Sequence, residues 1–554
     1  KENLNYSKTR YTIISSVFEE ILKENENFKQ LLLFICLSDS QNIPKTMIKR
    51  STSSVTADEF LFHLKKHSLI SDGKDDFSIN RSTQSIGLDY ICNILSAEEK
   101  IQFIEKLISV VTPYEKLEIV FRDVVKLTPH LESFLQKLSG GGFPDFLAGK
   151  GRIDLLITLG NIHRRQACRP SDALVHFREA LELNKKYKCL DQTAVASINL
   201  KIGEIYTVMS ADDNALSYLE KSLSSLRDNL TELAENYRLI GITHMRKDHF
   251  AEANKYFEKA IAVLDQEPID DISLREKKSN IYADMAFNYA MNGINRDDAP
   301  KAVDIMKKAV ELLSTAKIDR QSEFRKKIPG RLVIHMARLA GIYNALGKYD
   351  PALQTAREAE NIIGKSEIVD ANIVYAQGII AREKGLAHLR LNKVPEAYDY
   401  FMEAKKIFSE AKIGAYLFRL RMHEAESLIR LNRPDEALKA CESMFSAKDR
   451  ERNNYCDLFF NTCYYHAAVI KYKQNDIDSS KKYFREFFKS MRILCKNIVS
   501  AEKYNRLIKI NAFEENPSSV KTSFENSLKV FEAIYWKDYE FTKYYVEENL
   551  KLLP

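Results

Sequence analysis

Residues 239–264, LIGITHMRKDHFAEANKYFEKAIAVL, decide the fold class of this chain. The stretch places a small residue, Gly241, on one predicted helix and a second small residue, Ala253, twelve positions later on the next. Phe257 follows four residues after Ala253, and Ala260 follows seven residues after it. Small residues at these spacings let two helices approach closely, while the aromatic side chain fills the remaining space. The stretch therefore predicts a pair of tightly packed helices.

The same pattern recurs along the chain, in register, and predicts an array of eight helix pairs. An interval of twelve joins the two small residues in six of the eight units. These small residues are Gly160 and Ala173, Gly203 and Ala215, Gly241 and Ala253, Ala286 and Ala302, Ala340 and Ala352, Gly385 and Ala397, Ala425 and Ala437, and Ala468 and Ser480. The packing residues four positions later are Phe177, Leu219, Phe257, Met306, Ala356, Phe401 and Phe484. The last two units depart from the pattern, because Met444 and Phe487 occupy the place of the later small residue.

This array resembles the tetratricopeptide repeats, in the longer form found in kinesin light chains. The resemblance is clearest in LGNIHRRQ at 159–166, in SDALVHFREALEL at 171–183 and in the stretch 239–264, and it covers roughly residues 150–497. The family's first-helix tryptophan and its repeat-ending proline are missing here. The resemblance implies a right-handed superhelical solenoid whose first helices line a concave groove.

Composition agrees with an all-α chain. Only 18 glycines and 13 prolines occur in 554 residues, too few to end the many short strands of an all-β fold. The formal net charge is +6, which is small for this length. The eight cysteines form no CxxC pair, which favours buried thiols in a reducing compartment. The first residue is Lys1 and not Met, so we expect a piece of a longer protein.

Residues 28–97 predict a different, smaller module. LLLFICL at 31–37 predicts a buried helix, and Pro44 is suited to open a second one. Thr56 and Glu59 fit a capping box before a third helix. Asp72-Gly73 favours a tight hairpin near 68–80, which a last helix follows. Three helices and a hairpin in this order predict a winged-helix module.

The order of modules resembles the C-terminal part of the NB-ARC-like signal-transduction ATPases with numerous domains. LKKHSLI at 64–70 leads into INRSTQ at 79–84, and VVKLTPHLESFLQKL at 124–138 resembles the linker that joins their winged helix to the repeats. The family's nucleotide-sensing histidine would fall at Asn80. The predicted domains are an N-terminal helix at 1–27, the winged helix at 28–97, a helical linker at 98–149, the repeats at 150–497 and capping helices at 498–554.

No motif for enzymatic chemistry is apparent. The chain contains no GxxxxGK[ST] phosphate-binding loop, no HExxH and no Cys/His spacing typical of zinc. We therefore predict no enzyme activity, no cofactor and no metal site. The candidate recognition helix of the winged helix offers His63, Lys65, Lys66 and His67 but no Arg, Asn or Gln to read bases, so nucleic acid is disfavoured.

The first helices carry the candidate partner-binding residues. The groove is predicted to be mixed but net basic, because Glu204, Asp284, Glu383 and Glu426 interrupt its cations. This suits a protein partner with an acidic or phosphorylated segment. Reversing the charge of Arg338, Arg382 and Arg390 is expected to weaken such binding while leaving the fold intact. The candidate binding residues are Arg246, Arg338, Arg382, Arg390, His423, Arg430 and Lys473.

The C-terminal segment is rich in aromatic residues, and Tyr535, Trp536 and Tyr539 are predicted to cap the solenoid or to dock a partner. No run of about 18 apolar residues predicts a membrane span. We expect a cytoplasmic protein, or one in the host cytosol if it is secreted.

The predicted function is protein–protein interaction, as a scaffold or sensor region of a larger multidomain signalling protein. Two alternatives stay open. One is a ligand-responsive transcription regulator of the maltose-activator type, and the other is the targeting arm of a secreted bacterial effector.

Overall fold

The computed structural model describes residues 2–111, 121–139, 143, 145–165, 170–247, 249–266, 271–291, 299–316, 324–366, 371–411, 414–445, 454–498, 501–514 and 519–534. These residues form 25 helices and three short strands. They divide into two compact units, Lys1–Asp228 and Asn229–Pro554. The division falls between the second and the third of the predicted helix pairs.

The first unit contains the small module and two helix pairs. Its elements are α1 Glu2–Glu24, α2 Phe28–Leu37, β1 Ile43–Pro44, α3 Lys45–Ser51, α4 Ser54–Lys66, β2 Ile70–Asp72, β3 Asp76–Ile79, α5 Arg81–Ile94, α6 Ala97–Val111, α7 Phe121–Ser139, α8 Asp145–Arg165, α9 Pro170–Tyr187, α10 Gln192–Val208 and α11 Asp212–Leu223.

The second unit contains six further pairs and two following helices. Its elements are α12 Leu230–Arg246, α13 Phe250–Leu264, α14 Ile272–Met291, α15 Ala299–Ser314, α16 Phe324–Ala345, α17 Tyr349–Gly364, α18 Ala371–Arg390, α19 Val394–Glu410, α20 Gly414–Arg430, α21 Pro434–Phe445, α22 Asn454–Lys473, α23 Ile477–Ile498, α24 Ala501–Lys509 and α25 Val520–Ile534.

The three strands form one antiparallel sheet in the order β1–β3–β2. The predicted hairpin is confirmed, with Ile70 opposite Ile79. The outer strand β1 was not predicted, because a strand of two residues carries no periodic pattern. The predicted capping box is wrong in detail, because Ser53, and not Thr56, caps α4. The Ser53 hydroxyl accepts a hydrogen bond from the backbone N–H of Thr56 at 3.1 Å. A hydroxyl at this position satisfies an N–H that has no partner within the helix.

The predicted contact between the helices of a pair is confirmed. In the third pair, a Cβ atom added at Gly241 would lie 2.7 Å from the Phe257 ring. Gly160 and Gly385 contact Phe177 and Phe401 in the same way. No side chain would fit at these glycines without displacing the ring. The remaining second-helix landmarks are also buried in the core: Ala173, Ala180, Ala215, Leu219, Ser222, Ala253, Ala260, Ala302, Met306, Ala309, Ala352, Ala356, Ala359, Ala397, Ala404, Ala437, Ser480 and Phe484.

The turns inside the pairs share one backbone geometry. The residue five positions before the second-helix small residue has a positive φ of 58° to 68° in five pairs. The backbone N–H of the following residue then returns to a carbonyl five residues earlier, as from Lys393 to His388 at 2.9 Å. This is the Schellman closure of a helix end, which favours Gly or Asn in the left-handed conformation. The five turn residues are Ser210, Gly347, Asn392, Asn432 and Asn475.

Replacing Asn392 with alanine should lower the free energy of unfolding by about 1 kcal/mol. In the left-handed conformation the Cβ atom is too close to the following carbonyl oxygen, and alanine lacks the short polar side chain with which asparagine offsets this strain. Asn392→Gly should lose nothing. Asn361→Ala, in an exposed position inside the regular helix α17, is the matched control and should be neutral or slightly stabilising. Urea unfolding measures all three, and an equal loss at both asparagines would contradict the role of the turn.

Candidate functional site

The first helices of successive pairs are connected by polar contacts, which we call the ladder. In the first unit, Arg164 of α8 donates to Glu204 of α10 at 2.6 Å. In the second unit, Arg238 of α12 donates to Asp284 of α14. Both contacts join a cation on one first helix to a carboxylate on the next first helix. They link residues 40 and 46 positions apart, which spans one whole pair.

Three contacts connect α14 to α16 at nearly constant sequence offset. Arg331 lies 3.4 Å from Glu276, and Arg338 lies 3.6 Å from Asp284. Between these ion pairs, the buried Ser279 hydroxyl lies 3.1 Å from Nε2 of His335. The order of the contacts is the same along both helices, so α14 and α16 lie side by side in parallel. Asp284 therefore lies between Arg238 on one side and Arg338 on the other.

The next connection joins α16 to α18. The amide nitrogen of Asn344 donates to the carboxylate of Glu383 and to its backbone carbonyl, both at 2.9 Å. Arg382, the preceding residue, also donates to the Glu383 carboxylate. Glu383 is 2% exposed, so these contacts replace the water that the carboxylate has lost.

Glu426 of α20 is the centre of a buried charged cluster. It is fully buried, and it accepts from Arg390 of α18 at 2.7 Å and from Arg430 of its own helix at 2.9 Å. Burial by itself would raise the pKa of Glu426, but the two guanidinium groups outweigh burial and lower it to about 2. Glu426 is therefore ionised at neutral pH, and it holds α18 against α20.

Two buried histidines flank this cluster. His423 of α20 stacks on the Phe401 ring with centroids 5.3 Å apart, and His466 belongs to α22. Burial lowers the pKa of His423 to about 3 and that of His466 to about 4. At His423, the negative charge of Glu426 by itself would raise the pKa. Burial, together with the positive charges of Arg390 and Arg382, outweighs that effect and lowers the pKa. Both rings are therefore neutral in the folded protein at neutral pH.

The stability of the second unit should decrease as the pH falls from 7 to 5. The unfolded chain binds protons at the ordinary histidine pKa of about 6.5, whereas buried His423 stays neutral until much lower pH. The stability that His423 contributes is thus complete above pH 6.5 and is lost towards pH 3. We expect about 1–2 kcal/mol of loss from this residue by pH 5. His423→Gln should unfold in urea with a shallower pH dependence, and an unchanged slope would contradict the assignment.

The predicted binding residues are brought together in part. Arg390, His423 and Arg430 meet around Glu426, and Arg338 joins Asp284. Arg382 contacts Glu383, while Arg246 and Lys473 lie in the last turns of α12 and α22. Tyr535, Trp536 and Tyr539 lie outside the described residues.

The expectation of a set of exposed groove arginines needs correction. The side chains of Arg382, Arg390 and Arg430 are only 11–17% exposed, because the ladder carboxylates hold them. Reversing Arg390 would place a second carboxylate beside buried Glu426, so that change would not leave the fold intact. The acids that seemed to interrupt a basic face are the partners of its arginines. Sequence reasoning also missed Arg238, Glu276 and Arg331.

Within the described ranges, no group of three His, Cys, Asp or Glu side chains is arranged to hold a metal ion. The described helices include none that is long and apolar enough to cross a membrane. Cys36, Cys441, Cys463 and Cys495 are buried thiols, as expected, and Cys92 and Cys189 are half-buried.

The paired helices and their shared register define a tetratricopeptide-like helical-repeat protein, with a small helix-and-strand module before the repeats. No family model matches the chain. It is 24% identical over 261 residues to Protein KINESIN LIGHT CHAIN-RELATED 3 of Arabidopsis thaliana, a match that covers 45% of this chain and 36% of that protein. Protein KINESIN LIGHT CHAIN-RELATED 1 of the same plant is 22% identical over 218 residues, or 39% of this chain and 33% of that protein. The chain thus spans about a third of the length of these curated relatives.

The fold is shared over most of the chain with a solved structure. It is a signal transduction ATPase with numerous domains, with a tetratricopeptide repeat sensor, from Pyrococcus horikoshii. The TM-score is 0.56, and the match covers 86% of this chain and 65% of that one. At 12% sequence identity, this likeness shows the repeat solenoid fold alone.

Proposed function

We propose that this chain is the scaffold or sensor region of a larger signalling protein, and that it binds an acidic or phosphorylated segment of a protein partner along its first helices. The observation that carries the proposal is the pair Arg331 and Arg338 on α16. Their side chains are 41% and 37% exposed, the largest exposures among the arginines for which ladder contacts are described. They lie seven residues apart, which is two turns along one helix face.

The guanidinium groups of these two arginines carry more N–H donors than their described contacts use. Each has one described carboxylate contact, at 3.4 and 3.6 Å, whereas a guanidinium carries five N–H groups. Phe287 of α14, one turn after Asp284 along the helix, is 40% exposed. A segment with two acidic groups about 10 Å apart, followed by an apolar side chain on the side of Arg338 away from Arg331, would satisfy all three residues.

We further propose that 28–97 is a winged helix with a protein-packing role, followed by a linker at 98–149, the repeats at 150–497 and a cap at 498–554. The order α2, β1, α3, α4, β2, β3 and the sheet order β1–β3–β2 support this assignment. The basic residues of the module are partly neutralised, because Lys49 pairs with Asp58 and Lys65 with Asp72. This pairing favours a protein-packing role over DNA binding.

The test is a double substitution that removes the two exposed charges. Glutamate-rich and phosphoserine peptides that bind the unchanged protein are first selected on a peptide array. Arg331→Gln with Arg338→Gln should weaken binding to these peptides by about tenfold or more. The salt dependence of binding between 50 and 500 mM NaCl should also decrease. The fold should persist, because Asp284 retains Arg238 as its partner.

Arg357→Gln is the matched control, since Arg357 is exposed on α17, the second helix of the same pair. It should bind the selected peptides as the unchanged protein does. Equal affinity for the control and the double variant would place the binding surface elsewhere than on the first helices.

A further inference from the structure

The exposed face of α23 is almost entirely cationic. Seven of its described positions are exposed, and five of them are Lys or Arg. The other two are Asp478, in the first turn, and Ile493. The opposite face is the core side of the helix, where Phe484, Phe487 and Met491 are buried. The basic stripe consists of Lys482, Arg485, Lys489, Arg492 and Lys496.

The exposed face of α19 carries charges of the opposite sign at the same spacing. Its acidic stripe has four carboxylates and one lysine, and the intervals are three, four, three and four residues in both stripes. Each stripe therefore lies along one face of its helix and extends for about 21 Å. The acidic stripe consists of Glu396, Asp399, Glu403, Lys406 and Glu410.

Within the described residues, neither stripe is neutralised by ion pairs. Among the described residues, none of the ten side chains takes part in an ion pair. The second helix of the intervening pair, α21, exposes Asp435, Glu436, Lys439 and Glu442, so it adds no net positive charge to compete with the basic stripe. Other charged groups of this unit do pair locally, as Arg433 does with Glu436.

We propose that the two stripes are the halves of a contact between copies of this chain, with α23 of one copy alongside α19 of the next in parallel orientation. The equal spacing aligns each basic position with the residue 86 positions earlier in the sequence. Four of the five aligned pairs then have opposite charge: Lys482 with Glu396, Arg485 with Asp399, Lys489 with Glu403, and Lys496 with Glu410. An antiparallel alignment would also oppose charge in four of the five pairs, with Lys406 beside Arg485, but it would offset two of the five positions by one residue, about 1.5 Å.

The fifth aligned pair, Arg492 with Lys406, is repulsive, and it gives the proposal a sharp test. Lys406→Glu should strengthen self-association about three- to tenfold, because it converts the single like-charge pair into an attractive one. Lys439→Glu, the same charge change on exposed α21, is the matched control and should not strengthen it. Sedimentation equilibrium of the whole chain in 50 mM NaCl measures both.

The unchanged protein should show an average mass that rises with concentration in 50 mM NaCl and returns to the monomer value in 500 mM NaCl. Because each copy carries both stripes, one contact leaves one stripe of each copy available, so the mass should not stop at that of a dimer.

Charge reversal followed by mixing completes the test. Lys482→Glu with Lys489→Glu, and separately Glu396→Lys with Glu403→Lys, should each abolish self-association, while an equimolar mixture of the two variants should associate again. Circular dichroism checks that both variants keep their helix content. Failure of the mixture to associate, or a monomeric wild-type protein that binds phosphatidylserine vesicles through α23, would overturn the proposal.

Discussion

Replacing Glu426 with glutamine should lower the free energy of unfolding of the second unit by about 3 kcal/mol. The substitution leaves the guanidinium groups of Arg390 and Arg430, which are 11% and 13% exposed, without the carboxylate that both contact. Removing one partner from a buried ion pair typically costs about 3–5 kcal/mol, because the remaining charge stays in a poorly solvated position. Urea unfolding, followed by helix content, measures the loss.

Glu403→Gln is the matched control, because this substitution removes the same charge from an exposed position on α19. It should change stability by less than about 0.5 kcal/mol. The wild-type protein should also lose stability as the pH falls from the ordinary glutamate pKa of 4.5 towards 2, the folded-state pKa of Glu426. Glu426→Gln should lack that part of the acid dependence. A loss as small as that of the control would show that the cluster does not hold α18 and α20 together.

Replacing Phe257 with alanine should lower the free energy of unfolding by about 3–5 kcal/mol. Phe257 is fully buried, and its ring lies against the backbone of α12 at Gly241. Alanine would leave a cavity that the backbone of a helix pair is too stiff to fill. Gly241→Ala alone should cost about 1–3 kcal/mol, since the new Cβ would approach the ring to 2.7 Å.

The double variant Gly241→Ala with Phe257→Ala should lose less than the sum of the two single losses. The fifth pair has alanine at both equivalent positions, Ala340 and Ala356, and both are fully buried there. Additive losses would mean that the two residues do not fill one shared space. Val175→Ala, an exposed change on α9, tests the general effect of a shortened apolar side chain and should be nearly neutral.

The core of each pair could be predicted from the sequence, because its contacts are local. Gly241 and Phe257 are sixteen residues apart, and this spacing holds in most of the units, although it is one residue longer in the first unit and four residues longer in the fourth. The turn residue is equally local, but its identity varies among Ser, Gly and Asn. Its constant place, five residues before the second-helix small residue, was a signal that sequence reasoning overlooked.

The ladder was beyond the same kind of reasoning, because its partners lie about 40 residues apart in helices that the sequence does not orient. Glu204 and Glu426 each follow directly after a small first-helix residue, Gly203 and Ala425. That adjacency indicates a position close to the neighbouring first helix, where an acid requires a partner. When the packing of α8 on α10 and of α18 on α20 is not known, these acids are interpreted as interruptions of a basic surface.

The ladder contacts differ from one neighbouring pair to the next, and this bears on misfolding. Arrays of similar units are prone to docking one unit against the wrong neighbour during folding. Here the cation belongs to the earlier helix between α18 and α20 but to the later helix between α14 and α16, while Asn344 takes the cation's place between α16 and α18. A pair that docked on the wrong neighbour would bury Glu383 without Asn344, or Glu426 without Arg390. The charged contacts thus favour docking of each pair on its correct neighbour and penalise skipped or exchanged units as the chain folds.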